Sequence, residues 1–271
     1  MHTDTDMYFY HPRWPVFHED NHVLALYKPA GLLAQGNHTG APSLLDLAKL
    51  WVKERYQKPG RVFLGLVHRL DQPVAGVMLF ARTSKAAARL SAQFRTGSIH
   101  KVYLAVVEGV PLRRSESLTD YIERRGRECR IVPTATDRSR EARLHFHLIE
   151  SDAKRSLLQV VLETGRRHQI RLQLSHAGLP LVGDVRYGAS TPLESRQIAL
   201  LARELTIEHP TRRLPVRFVC PLPDGWPWPA SRAGDMAPCW NWDDFGFNKE
   251  RLKTFRIDFC HQITCGSTGG T

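Results

Sequence analysis

A chain of 271 residues with a formal net charge of +11 and a sequence pI near 9.7 is long enough to bury one substantial core and basic enough to be drawn to polyanions. Nucleic acid leads a basic membrane-surface role among partner classes, because no segment approaches the length of a spanning helix and Met1-His2-Thr3-Asp4-Thr5-Asp6 lacks the basic and apolar regions of a signal peptide. The odd set Cys129, Cys220, Cys239, Cys260 and Cys265 contains no Cys-x-x-Cys pair, so free thiols and a soluble cytoplasmic protein are expected rather than a disulfide framework or a thiolate metal site.

In chain order, the acidic Glu19-Asp20 leads into an apolar strand, Val23-Leu24-Ala25-Leu26, and then Lys28-Pro29-Ala30-Gly31. Val62 to Val67 and Val77 to Ala81 read as two short buried strands, and between them runs Val67-His68-Arg69-Leu70-Asp71. Asp71 is therefore expected at the rim of a core, where partial desolvation disfavours its charged form and a nearby cation is needed to keep it ionised. A lone Asp in a lone loop is more often an exposed turn residue, so the weight rests on what the rest of the chain brings. Ser84 to Phe94 has Ala86, Leu90 and Phe94 in helical register with Gly97 as its stop. Lys101 to Gly109 alternates as a strand: Val102, Leu104 and Val106 share one face, and Lys101, Tyr103 and Ala105 the other. If the first face is core, the Tyr103 phenol lies opposite, where a ring can stack on a base. A tyrosine that merely covers sheet surface is the commoner case.

Arg124-Arg125-Gly126-Arg127, Arg130, Arg138, Arg140 and Arg143 form a basic insertion suited to neutralising phosphates, although for any one of them a solvated hairpin charge is the usual role. Leu157 to Leu162 is apolar and β-prone, Thr164 is a suitable N-cap and Gly178 a helix stop. The helix so predicted starts with Arg166, where a cation opposes the helix dipole, and sets Arg167 beside Arg171. A basic start of this kind suits a site that holds phosphates or a carboxylate. His68, His168 and His176 show no metalloprotease spacing with Asp71, and no catalytic metal is expected. The Pro-rich stretch Pro221 to Pro229 closes a single domain, 1–230. A tail follows, 231–271, in which Trp240, Trp242, Phe245 and Phe247 lie close to Lys249, Arg251 and Lys253, before a Gly-rich end expected to be disordered.

These motifs together resemble the RluA-type RNA pseudouridine synthases. The family's Lys-Pro-x-Gly is matched at Lys28 to Gly31, His-Arg-Leu-Asp at His68 to Asp71, Lys-x-Tyr-Leu-Ala at Lys101 to Ala105, Thr-Gly-Arg-x-His-Gln-Ile-Arg at Thr164 to Arg171, and Gly-x-Pro-x-x-Gly-Asp-x-x-Tyr-Gly at Gly178 to Gly188. Two departures stand out. Val74-Ala75-Gly76 replaces the usual Thr-Ser-Gly, removing two hydroxyls, and Arg167 stands where Thr is common.

The resemblance implies an α+β pseudouridine synthase fold: a mixed, largely antiparallel sheet with flanking helices and a central active-site cleft. It implies isomerisation of uridine to pseudouridine in ribosomal or transfer RNA, with no cofactor and no metal, by a catalytic domain working without the S4 RNA-binding module of some relatives. Asp71 supplies the carboxylate, Arg166 pairs with it, and Tyr103 stacks on the uracil. Arg69 enters the RNA stack as the target base flips out. His68, Lys28, Lys101, Arg167, His168, Gln169 and Arg171 are expected to contact RNA or line the pocket. A non-catalytic RNA-binding or RNA-folding protein on the same scaffold is the alternative. A nucleosidase is a weaker one, since no second carboxylate accompanies Asp71 in these motifs.

Overall fold

The computed structural model describes residues 16–37, 41, 43–126, 128–193, 197–223 and 226–228. The expected tail, 231–271, lies outside the described residues, as does Arg127. The elements are β1 (Val16–Glu19), β2 (Val23–Lys28), α1 (Leu44–Arg55), β3 (Gly65–Leu66), β4 (Ala75–Ala81), α2 (Ser84–Thr96), β5 (His100–Glu108), β6 (Ser115–Arg125), β7 (Glu128–Val132), β8 (Ser139–Ser151), β9 (Arg155–Leu162), α3 (Gln169–His176), a 3-10 turn (Val185–Tyr187), β10 (Leu200–Glu208) and β11 (Pro215–Val219).

All the strands join one mixed sheet in the order β1-β2-β4-β10-β5-β9-β8-β6-β7, with β3 added to β4 and β11 to β10. The α+β fold class expected from the sequence is present. The pairing of β10 with β4 is parallel and the other strand pairs are antiparallel. Gly76 makes that parallel seam possible: its φ is +131°, and a Cβ there would lie 2.3 Å from the Ala202 carbonyl oxygen.

Burial on both faces explains why the central strands read as continuous apolar runs rather than clean alternations. On one face Leu26, Met78, Phe80, Ala105 and Val160 pack with Leu44 and Trp51 of α1 and Ile170 and Leu174 of α3. On the other, Ala25, Val77, Leu79, Leu104 and Val106 pack with Ala86 and Leu90 of α2. The alternation in β5 therefore separates two core faces rather than a core face from an open one. Tyr103 belongs to the α1 and α3 side, where it packs half-buried against that core.

The helices begin and end by ordinary chemistry. Ser43 and Asp46 form a reciprocal capping box on α1. Thr83 caps α2, which stops at Gly97 in the left-handed region. Helix α3 departs from expectation: it starts at Gln169, not after Thr164, with His168 as a left-handed N-cap at φ 57°. Residues 164–168 are thus a loop, and Arg166 and Arg167 do not sit on a helix. The strand expected at Val62 to Val67 is cut to the two residues of β3. No helix of the described residues is long and apolar enough to cross a membrane.

Candidate active site

Asp71 follows β3 on the loop that leads to β4, and its side chain is 28% exposed in a cleft of about 620 Å³. Its loop is fixed from below by the Lys28 to Gly31 segment. Lys28 is fully buried and its ammonium donates to the carbonyls of Pro29 (2.9 Å), Leu32 (2.7 Å) and Gln72 (3.1 Å). Burial pushes Lys28 down to about 7 against the pull of Asp71. The Gly31 amide donates to the Gln72 carbonyl and the Gln72 amide side chain donates back to the Gly31 carbonyl. Lys28, expected in the pocket, therefore serves as a clamp beneath it, its charge spent on carbonyls rather than turned to solvent. The two hydroxyls missing at Val74 and Ala75 are replaced by packing. Both residues are buried, and the Val74 amide donates to the Asp71 carbonyl.

The cation beside Asp71 comes from α3. Arg171 Nη1 lies 3.5 Å from Asp71 Oδ2, while its Nε and Nη2 make a bidentate pair with Asp184 at 2.6 and 2.7 Å. Arg171 and Asp184 are both buried, and such a fork has the geometry carboxylates prefer. The hydrogen bonds and negative charge of Asp184, with that of Asp71, more than offset burial and raise Arg171 above its ordinary value. A second neighbour is His168, whose Nε2 lies 3.6 Å from Asp71 Oδ2. Its Nδ1 pairs with Tyr187 Oη at 2.6 Å, and the Tyr187 ring lies 4.8 Å from the Arg171 guanidinium. Asp184 and Tyr187 stood in a recognised motif without a role. The signal that could have found Asp184 is a carboxylate two residues after the apolar Leu181-Val182, which needs a cation once buried.

Arg166 was the expected partner of Asp71. Its guanidinium instead donates to the Glu141 carbonyl at 2.8 Å, because the 164–168 loop turns it toward β8 and leaves the reach to Asp71 to Arg171, within the first turn of the helix. Arg166 nonetheless lines the cleft, as do Arg69, Arg167, Lys101 and Tyr103. Arg69 and Arg167 are exposed. Lys101 donates to the Thr164 carbonyl at 3.3 Å and is lowered by burial and by neighbouring Arg166. The Tyr103 phenol is raised by burial and by the Asp71 charge, and is neutral at pH 7. Gln169 is buried and knits the loop: its carbonyl oxygen accepts from the Arg166 amide and Thr164 hydroxyl, and its amide donates to the Arg143 carbonyl and to Gln173. It also lines the cleft, so the residue that braces the loop stands in the cleft wall.

His68 also lines the cleft, with one ring nitrogen engaged by the backbone. Between the stretch where β4 pairs with β10 and the stretch where it pairs with β3, the Leu79 amide has no strand partner, and His68 Nε2 accepts its hydrogen at 2.9 Å while the ring stacks on Phe94 at 4.6 Å. Burial, with Lys101 nearby, pushes His68 down to about 3 from 6.5. Between pH 6.5 and 3 the unfolded chain then binds a proton that the folded chain does not, so this stability is present above 6.5 and lost as pH falls toward 3. His68→Gln keeps an acceptor but removes the titration. Between pH 7 and 4.5 the wild type is expected to lose about 2–3 kcal/mol more stability than this variant in urea unfolding. Parallel pH curves would remove His68 from the role of a neutral bolt.

The basic insertion is partly neutralised within itself. Arg125 and Arg130 pair with Glu123, and Arg143 pairs with Glu141 and Glu163. Among the described residues one cluster, His18, Asp20 and His209, has the spacing of metal ligands. It lies at the turn between β1 and β2. Arg212 already stands 3.3 Å from the Asp20 carboxylate, supplying the positive charge an ion would bring.

A family model described as RNA pseudouridylate synthase matches residues 22–176. Ribosomal large subunit pseudouridine synthase D of Xylella fastidiosa is 35% identical over 222 residues, covering 77% of this chain and 66% of the relative. The protein of the same name in Pseudomonas aeruginosa is 34% identical over 229 residues, covering 79% of this chain and 69% of the relative. This chain thus spans about two thirds of the length of the curated relatives it matches. Among solved structures, human RNA Pseudouridylate Synthase Domain Containing 4 superposes with a TM-score of 0.66 at 23% identity, over 77% of this chain and 88% of that one, which shows the shared fold. Three of the five motifs line one basic cleft, and with the matched family model and these relatives they agree: the chain belongs to the RNA pseudouridylate synthase family.

Proposed function

We propose that this chain isomerises uridine to pseudouridine in structured RNA, without a cofactor, and that residues 1–230 form its catalytic domain. The observation that carries this reading is Asp71, a partly exposed carboxylate in a basic cleft with a paired arginine at 3.5 Å and a neutral phenol, Tyr103, lining the same cleft. The reaction breaks the bond between the ribose anomeric carbon and uracil N1 and makes one to C5. It needs an ionised carboxylate, a pocket that retains the detached base and a surface that fixes the base's plane. Asp71 is the reacting group, Arg171 stands 3.5 Å from its carboxylate and orients it, and the Tyr103 ring stacks on the uracil. Arg69 enters the RNA stack when the target nucleotide is extruded, a step costing a few kcal/mol, and its exposure two residues from Asp71 supports that role. Arg166, Arg167 and Lys101 give the cleft its attraction for phosphates.

The relatives named for the large ribosomal subunit favour ribosomal RNA as the substrate class. The test is incubation of the full chain with ribosomal and transfer RNA transcripts carrying labelled uridine. Labelled pseudouridine at discrete positions is the expected product. Unchanged uridine with retained binding would support an RNA-folding role instead, and released uracil a nucleosidase.

A further inference from the structure

We propose that Tyr187 is a positioning residue for the reaction, which fixes His168 in its Nε2–H tautomer so that a neutral N–H faces the Asp71 carboxylate. The proposal begins with an odd backbone. His168 holds φ 57° and ψ 22°, in the left-handed region a side chain rarely adopts, and this turns its imidazole from the head of α3 into the space between Asp71 and Tyr187. The two ring nitrogens then have different partners: Nδ1 lies 2.6 Å from Tyr187 Oη, and Nε2 lies 3.6 Å from Asp71 Oδ2.

One proton arrangement suits both contacts. If Nδ1 carried the hydrogen, Nε2 would turn a lone pair toward a carboxylate, and the phenol, which makes no other hydrogen bond to the described residues, would leave its own hydrogen unused. If the phenol donates to Nδ1, the hydrogen moves to Nε2 and points at Asp71. The Arg171 guanidinium over the Tyr187 ring, at 4.8 Å, draws electron density from the phenol and makes it the better donor.

The groups that face His168 are Asp71, Arg171, Arg167, Arg186 and Tyr187. Burial lowers the imidazole below its ordinary value although Asp71 pulls the other way, so the ring is neutral at pH 7. Burial likewise raises the Tyr187 phenol, which keeps its hydrogen. Asp71 is thus offered one full cation, from Arg171, and one neutral donor, from His168. A neutral donor orients the carboxylate without adding a second charge for it to overcome when it reacts, much as the outer hydrogen bond of a metal-bound histidine fixes that ring's tautomer.

The experiment is nitrogen-15 NMR of the full chain with labelled histidine, with His168 assigned by the signal lost in His168→Gln. At pH 7 the wild type is expected to show His168 as the Nε2–H tautomer, and Tyr187→Phe, which keeps the ring under Arg171, a mixture with Nδ1–H. Turnover on RNA, an arm that rests on the proposed activity as the tautomer arm does not, should fall about tenfold in Tyr187→Phe with KM unchanged. Glutamine at 168 keeps a neutral N–H donor that needs no tautomer, so adding Tyr187→Phe to His168→Gln should cost nothing further. An Nδ1–H tautomer in the wild type, an unchanged tautomer in Tyr187→Phe, or losses that multiply in the double variant would each overturn the proposal.

Discussion

Arg171→Met is expected to destabilise the folded chain by about 3–5 kcal/mol, the usual cost of removing one partner from a buried ion pair. The reason is geometric. Asp184 is 2% exposed and receives both of its side-chain charge contacts from the Arg171 fork, so without the fork its carboxylate is stranded in the protein interior. For a domain of this size such a loss corresponds to a fall in Tm of roughly 10 °C. Turnover on RNA should fall as well, since Asp71 loses the cation 3.5 Å away. The two effects can be separated by adding Asp184→Asn. That change removes the stranded charge and should return a good part of the stability while turnover stays low, because Asp71 still lacks its partner. Arg171→Lys, which keeps the charge but loses the planar fork, should fall between wild type and Arg171→Met on both measures. A change in unfolding free energy below about 1 kcal/mol for Arg171→Met would place this arginine among ordinary exposed ion pairs.

Much of the fold could be read before the structure because the determining signals were local. The Gly97 stop of α2 is a glycine in the left-handed region at φ 76°, a conformation that costs glycine little. Residues Val77 to Ala81 are buried throughout, as an apolar run of that length between polar neighbours implies. The cleft could be read for the same reason: Asp71 shortly precedes the buried strand β4, which carries it to the edge of the core. What could not be read was set by contacts distant in sequence. The N-cap of α3 moved from Thr164 to His168 because the Gln169 side chain takes up the Thr164 hydroxyl and the Arg166 amide, which a helix would have used differently. That displacement of four residues turned Arg166 away from Asp71 and brought Arg171 to it. The backbone partners of Lys28 and His68 were hidden likewise. Both look like binding residues in sequence, and both are occupied by backbone groups, Lys28 by three carbonyls and His68 by the Leu79 amide. A lysine next to a proline and a histidine next to an arginine give no local sign of such partners.

The most direct measurement uses Asp71→Asn with RNA tritiated at uracil C5. When C5 bonds to the ribose its hydrogen is released to water, so tritium release follows bond formation itself. Asparagine keeps the shape of the side chain and removes the charge, and Asp71 is exposed enough, at 28%, for the amide to fit without disturbing the core. The variant is expected to bind RNA within a few-fold of wild type and to release no tritium above background, as befits the loss of the reacting group rather than of substrate affinity. Tritium release by Asp71→Asn at a rate near that of wild type would show that another group carries out the rearrangement.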